Sequence, residues 1–352
     1  MSTVRNIALV GAGVIGRQHG LVISQLADRL RLVAVADVQL ERAGQLAAER
    51  GGRPYGSLTA ALAAEEIDIV VVCTPTGRHG EVAIEALAAG KHVIVEKPAE
   101  ITVARTDEII AARQRAGTLV TVISQHRFDP ATETMLAAIE RGELGRLTSG
   151  IAAIDWWRGQ SYYDSGDWRG TWDLDGGGAL MNQGVHTVDL LVAALGRPVE
   201  VFAYAGTLAH ERIEVEDVAV GVVRFASGAL GVLHATTAAY PGLSARLQVH
   251  GDRGSVVIDN DQLAFFHATP RGTEPAERLM GTTRTISGAA AGATASSNPG
   301  QLSDAHRLQY LNFLGALDGT EKLRVDLETN RQSIGVIAGV YSSARTGKPV
   351  RL

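Results

Sequence analysis

Short apolar runs separated by stretches of helical periodicity make up the chain from Val4 to about Ile123. The pattern predicts strands at Asn6–Val10, Leu32–Asp37, Ile67–Cys73, His92–Glu96 and Leu119–Ile123 with helices between them, as in a parallel sheet covered on both faces. Gly90 and Gly117 fall where a helix must end in a left-handed residue before the next strand begins. After Phe128-Asp129-Pro130 the pattern changes. A helix over Thr132–Arg141, a strand near Leu147–Trp156 and a polar, aromatic loop to Asp175 lead into a glycine-rich helix from Gly177 to about Ala194. Strands then follow one another without helices. Val218–Phe225 turns at Ser227-Gly228 into Ala229–Thr236, and Leu243–His250 turns at Gly251–Gly254 into Ser255–Asp259, so this sheet is expected to be antiparallel. Gly272–Gly300, rich in Gly, Ala, Ser and Thr, reads as a long mobile loop or arm. Helices over Ser303–Asp318 and Leu327–Thr346 precede a last short strand.

The expected fold class is therefore α/β. A doubly wound parallel sheet over residues 1–125 is followed, over residues 126–352, by an α/β domain with a large, mostly antiparallel, open sheet. A length of 352 residues allows two cores of ordinary size. With few helices left to cover the second sheet, one of its faces is expected to pack against another copy of the chain, as a homodimer or homotetramer. The net charge of −5 and the scatter of Lys and Arg leave no basic stripe, which argues against a nucleic-acid partner. The single cysteine, Cys73, cannot form an internal disulfide, and no apolar run reaches the length of a membrane span. With no charged-then-apolar leader before the first strand, a cytoplasmic location is expected.

Chemistry enters at Ile7-Ala-Leu-Val-Gly11-Ala-Gly13-Val-Ile-Gly16, a strand run directly into a glycine turn. The spacing predicts a dinucleotide-phosphate loop. Gly11 and Gly13 would supply positive φ and close backbone approach, Gly16 would let the next helix pack on the strand, and Gly11, Gly13, Val14, Ile15 and Gly16 would line the pyrophosphate. Asp37 ends the second strand about 20 residues on, where a carboxylate can accept from the ribose hydroxyls. It would repel a 2′-phosphate and so favours NAD, although Arg42, one turn further, leaves NADP possible. Two other strand ends carry unusual residues, Cys73-Thr74-Pro75-Thr-Gly-Arg-His79 and Glu96-Lys97-Pro98.

The second concentration of signal is Asp175-Gly-Gly-Gly-Ala-Leu-Met-Asn182-Gln-Gly-Val-His186-Thr-Val-Asp189. On a helix, Met181, Val185, Val188 and Val192 form an apolar stripe, with Asn182, His186 and Asp189 beside it on what reads as a cleft wall. Taken alone, His186 is either a hydrogen-bonded core histidine or an acid–base group. Lys97 leaves the sheet at the edge where the nicotinamide end of a dinucleotide would lie, so it too is an acid–base candidate. Trp156, Trp157, Tyr162, Tyr163, Trp168 and Trp172 form either a wall for sugar rings or ordinary core, and Tyr163 and Arg169 are named from it as candidate substrate contacts. His79 either caps its helix or touches the cofactor. No metal site is expected, because no histidine has an acidic or cysteine partner at ligand spacing along the chain.

Together these motifs, with Tyr341-Ser-Ser-Ala-x-Thr-Gly-Lys-Pro-Val near the end, resemble the glucose-fructose oxidoreductase, inositol dehydrogenase and rhizopine catabolism family, written Gfo/Idh/MocA. The resemblance covers almost the whole chain. It implies a Rossmann domain, an α/β domain whose open sheet builds dimers or tetramers, and reversible oxidation of a secondary hydroxyl on a sugar, sugar nucleotide or cyclitol by NAD or NADP. It further implies that Lys97 and His186 are the acid–base pair and that Glu96 and Lys97 lie beside the nicotinamide ribose. Thr74, Pro75 and His79 would line the cofactor, and Trp168-Arg169 would reach it across the cleft. Many relatives carry aspartate at the place of Asn182; an amide can orient a hydroxyl but cannot take its proton. Two other functions occur within the family: a glycosidase that oxidises transiently with NAD, which needs the same residues, and a non-catalytic dinucleotide-binding regulator, against which the presence of both Lys97 and His186 speaks.

Overall fold

The computed structural model describes residues 4–277 and 299–352. Most of the expected Gly272–Gly300 arm lies outside the described residues. Two compact units divide the chain, Met1–Gln125 with Ser297–Arg331, and His126–Ser296 with Gln332–Leu352. The division falls at 125/126 as the sequence reading places it, but the second range is not continuous, because a late segment returns to the first unit. The helix Pro299–Leu317 supplies Tyr310, Phe313 and Leu314 to the core of that unit, beside Ile7, Leu9 and Val35. Each such side chain, fully buried, contributes roughly 1.5–3 kcal/mol, enough to decide which core the helix joins.

The first unit is a parallel sheet of β1 (Arg5–Val10), β2 (Leu30–Ala36), β3 (Arg53–Tyr55), β4 (Ile69–Val72), β5 (His92–Val95) and β6 (Val120–Val122). Their order is β3-β2-β1-β4-β5-β6, the doubly wound arrangement whose ligands bind beyond the carboxyl ends of the strands. Helices α1 (Val14–Gln25), α2 (Leu40–Arg50), α3 (Leu58–Ala64), α4 (His79–Ala88) and α5 (Val103–Ala116) connect them. Gly117 caps α5 at φ +66° and Gly90 follows α4 at φ +72°, as the sequence requires. The edge strand β3 is missing from the sequence reading, since three residues centred on Pro54 carry no periodicity.

In the second unit, α6 (Pro130–Glu140), β7 (Leu147–Asp155), a short α7 (Gln160–Tyr163), α8 (Val185–Leu195) and β8 (Pro198–Gly206) precede the hairpins. These are β9 (Val218–Phe225) with β10 (Leu230–Thr236), and β11 (Ala245–Gly251) with β12 (Gly254–Asp259) and β13 (Gln262–Ala268), and β14 (Val350–Arg351) closes the sheet. The order is β13-β12-β11-β7-β10-β9-β8-β14, antiparallel except where β10 runs parallel to β7. One face packs Ala219, Val223, Leu233 and Ala235 into a core with α8 residues Val188, Leu191 and Val192. The other face leaves Tyr204, Val222 and Val232 exposed at 65%, 53% and 44%, with Val222 opposite Val232 in register.

Candidate functional site

In the first unit the candidate residues gather at the carboxyl ends of β1, β2, β4 and β5. Gly11 has φ +101°, and a Cβ there would sit 2.4 Å from the Cys73 carbonyl oxygen. A Cβ on Gly16 would lie 1.9 Å from the Gly11 carbonyl oxygen, so only glycine lets α1 start this close to β1. Gly13 corrects the sequence reading. Its φ is −73°, within reach of any residue, and nothing lies within 4 Å of where its Cβ would be. Its use is the open space in front of the backbone. Helix α1 begins with no side-chain cap and no acid in its first turn, so its amides and the positive end of its dipole suit a phosphate. Val14, 86% exposed, and half-buried Ile15 border that space.

The Asp37 carboxylate accepts from Ala12 N and from Gln39 N, each at 2.8 Å, and so ties the end of β2 to the glycine turn. After β4, the Thr74 hydroxyl oxygen is buried without a hydrogen-bond partner among the described residues, a polar atom that a ligand can satisfy, while Pro75 beside it is half-buried. An open glycine cradle, an uncapped helix start, a carboxylate at the end of β2 and an orphaned hydroxyl together fit a dinucleotide.

Two expected cofactor contacts need correction. His79 is buried, with Nδ1 2.8 Å from the Pro98 carbonyl oxygen and Nε2 2.9 Å from that of Thr74. It stitches the loops after β4 and β5 together, and burial lowers its proton affinity. Glu96 is likewise turned inward. Its Oε1 lies 2.8 Å from His19 Nε2 and 3.6 Å from His306 Nε2, and its Oε2 accepts from Lys97 N at 3.0 Å. Burial pushes this carboxyl up, but the two imidazoles outweigh burial and hold it well below the usual range. Burial lowers the proton affinity of His19, whose Nε2 faces Glu96 and whose Nδ1 lies 2.7 Å from the Tyr310 hydroxyl. This buried network underlies the half-buried Lys97, whose backbone it grips through Glu96.

In the second unit the glycine-rich helix departs from its expected form. It begins with a π-helical turn, Ala179–Gly184, and becomes α-helical at Val185. Gly177 and Gly178 are demanded by packing, with a Cβ on Gly178 falling 1.7 Å from the Glu216 carbonyl oxygen and one on Gly177 falling 2.1 Å from the Tyr341 hydroxyl. Glu216 caps this start, accepting from Gly178 N at 2.9 Å, Leu180 N at 2.8 Å and the Tyr341 hydroxyl at 3.0 Å. Burial pushes its carboxyl up to about 7. Asn182 and His186 are half-buried, but Asp189 is not part of a cleft wall. The widened first turn shifts the helical phase, and Asp189 lies in the interior in a bidentate pair with Arg127 at 2.6 and 2.7 Å.

Asp175 accepts from Asn182 Nδ2 at 3.0 Å and from Gly170 N at 2.9 Å, which orients the amide. Sequence spacing gave no hint of this pair. The ring of His186 meets the edge of His126 at 4.9 Å between centroids. His126 Nδ1 lies 2.7 Å from Asp129 and 3.1 Å from Asp261, which sits at φ +63° in the turn between β12 and β13. Burial opposes charge on His126, but the two carboxylates outweigh it and raise its pKa to about 10. Tyr163 needs correction as a substrate contact: it is buried, and its hydroxyl is 2.7 Å from Thr237 Oγ1. Its neighbour Tyr162 is the one whose hydroxyl meets Gln183 Nε2 at 3.0 Å, and Arg169 lies over the rings of Tyr162 and Trp168. The stated reason for expecting no metal site also fails. His19 with Glu96 and His306, and His126 with Asp129 and Asp261, each bring three ligand-type atoms within 4.8 Å of one another; the first trio joins distant positions, whereas in the second His126 and Asp129 are only three residues apart and Asp261 is the distant partner.

Comparison with known proteins agrees with both units. Residues 5–124 match the family described as "Oxidoreductase family, NAD-binding Rossmann fold", and residues 132–257 match the "GFO/IDH/MocA C-terminal domain". The chain is 30% identical over 267 residues to myo-inositol 2-dehydrogenase of Thermotoga maritima, covering 72% of this chain and 75% of that one. It is also 30% identical to inositol 2-dehydrogenase of Rhizobium meliloti, covering 74% and 77%. Among solved structures, the WlbA dehydrogenase from Bordetella pertussis in complex with NADH and UDP-GlcNAcA superposes with a TM-score of 0.85 at 32% identity, covering 99% of each chain.

Proposed function

The chain belongs to the Gfo/Idh/MocA oxidoreductase family, and from that premise we propose that it is a dehydrogenase acting on a secondary hydroxyl, or the corresponding ketone, of a sugar, sugar nucleotide or cyclitol. Bound NAD supplies the hydride acceptor. Asp37 favours NAD over NADP, because its carboxylate is already spent on the glycine turn and would repel a 2′-phosphate.

The acid–base work falls to Lys97 and His186. His186 or Lys97 takes or returns the hydroxyl proton, and Asn182, oriented by Asp175, donates to or accepts from a substrate hydroxyl. The observation that carries this reading is the placement of His186 in the first turn of α8, half-buried, one turn after Asn182 and with its ring 4.9 Å from that of His126. The relatives named for inositol, and the neighbour crystallised with UDP-GlcNAcA, place cyclitols and sugar nucleotides in the assay panel. The open sheet face supports assembly into a homodimer or homotetramer, and a cytoplasmic setting fits an enzyme of this kind; no helix among the described residues is long and apolar enough to cross a membrane.

The test follows NADH absorbance with cyclitols, aldoses and sugar nucleotides. Net NADH formation is expected with at least one class. Lys97→Ala and His186→Ala should each lower kcat by about 10²-fold or more, the usual contribution of a positioned acid–base group. Glycoside cleavage without net NADH, or binding without turnover, would instead favour the glycosidase or the regulator.

A further inference from the structure

Between β7 and the glycine helix, two guanidinium groups share one aromatic ring. The Arg169 Cζ lies 4.3 Å from the Tyr162 centroid and 4.5 Å from that of Trp168. The Arg158 Cζ lies 5.4 Å from the Tyr162 centroid and 5.1 Å from that of Trp156. By contrast, the buried Arg127 of this unit is paired with Asp189, and the half-buried Arg253 donates to the Pro270 and Thr273 carbonyl oxygens. Among the described residues, neither Arg158 nor Arg169 has a carboxylate within 4.0 Å. The Nε of Arg158 and the Nε1 of Trp156 are both shielded without a hydrogen-bond partner.

Two cations gathered over one ring repel each other, and cation–π attraction of about 0.5–2 kcal/mol each does not replace a counter-ion. What holds them is aromatic packing and a long contact from Arg158 Nη1 to the Trp157 carbonyl oxygen at 3.5 Å, and what they present is fixed positive charge with further planar donors, the arrangement that binds carboxylate or phosphate in bidentate fashion. The stack is also anchored to the reacting end of the unit. The Tyr162 hydroxyl lies 3.0 Å from Gln183 Nε2 and 3.5 Å from Asn182 Nδ2, on the same helical run as His186.

Building on the dehydrogenase reading, we propose that Arg158 and Arg169 form an anion subsite and that the substrate carries a negative group, a carboxylate or a phosphate, beside the hydroxyl that is oxidised. The subsite selects acidic or phosphorylated sugars over neutral ones. The reading of the reaction and the reading of the subsite fail separately. Absence of NADH formation with every compound tests the first; the charge preference tests the second.

The experiment uses the full chain with NAD and matched pairs: hexuronates against the same hexoses, hexose 6-phosphates against the same hexoses, and UDP-hexuronates against UDP-hexoses. We expect the anionic member of at least one pair to have a kcat/KM tenfold or more above its neutral partner, and which pair does so separates carboxylate from phosphate. Arg169→Gln and Arg158→Gln should raise KM for the anionic member more than for the neutral one, and Arg169→Lys should keep part of the preference. Isothermal titration of the same compounds into the NADH-loaded protein gives a readout without turnover, with the anionic member expected to bind more tightly in the wild type than in Arg169→Gln. Equal kcat/KM within every pair, equal KM effects of the variants on both members, or no anionic compound binding more tightly than its partner would overturn the subsite.

Discussion

Single side chains here are governed by where burial puts them. Glu216 is the clearest case, since it caps the helix that carries Asn182 and His186 yet holds a carboxyl pushed up to about 7 by burial. The folded-state value lies above the ordinary 4.5, so the folded chain holds a proton that the unfolded chain has released between these values. The stabilising contribution is complete below the unfolded pKa and is lost as pH rises through about 7. Thermal melts from about pH 5 to about pH 8 should therefore show a decline in Tm that is shallower in Glu216→Gln; an unchanged slope would show that the group does not titrate there. Asp189 has a structural part instead. Paired with Arg127 in the interior, it is a structural residue, and Asp189→Asn is expected to cost about 3–5 kcal/mol in urea unfolding by stranding a buried guanidinium.

At the scale of the element, two helix starts divide the work. Helix α1 starts open, uncapped and free of acids, because its task is to receive an anion. The helical run that begins at Ala179 starts closed, with Glu216 taking its first amides and two glycines admitting the Glu216 backbone and Tyr341. Substituting each start should therefore give different phenotypes. Gly16→Ala drives a Cβ to 1.9 Å from the Gly11 carbonyl oxygen and must shift the phosphate loop. Because displacement of a binding group by about 1 Å can cost 10²-fold, KM for NAD is expected to rise by at least about tenfold, with a smaller loss of stability. Gly178→Ala meets the Glu216 backbone at 1.7 Å and is expected to lower Tm first, with NAD binding to the folded fraction retained, as fluorescence titration would report.

For the whole molecule, the open face of the eight-stranded sheet is the feature most in need of a partner. Exposed Val222 lies opposite Val232, and Tyr204 lies opposite exposed Val220 two residues along the same strand, a grouping of apolar side chains that soluble surfaces seldom leave uncovered. Val222→Glu is expected to shift the mass seen by light scattering toward monomer while leaving the melting profile of each unit in place; a wild type that is already monomeric would remove this assignment. The amino-acid sequence alone determined the doubly wound sheet, the glycine loop with Asp37, the antiparallel character of the second half and the family. Each of these depends on local periodicity or on residues close together in the chain, where backbone sterics act directly. Only the tertiary structure decided that the helix Pro299–Leu317 joins the first core, that Glu96 and His79 serve the interior, that Tyr162 and not Tyr163 faces Asn182, and that two acids meet His126. Those outcomes depend on side chains brought together from distant positions and on a π-helical turn that shifts the phase of a helix, and no periodicity in the sequence records either.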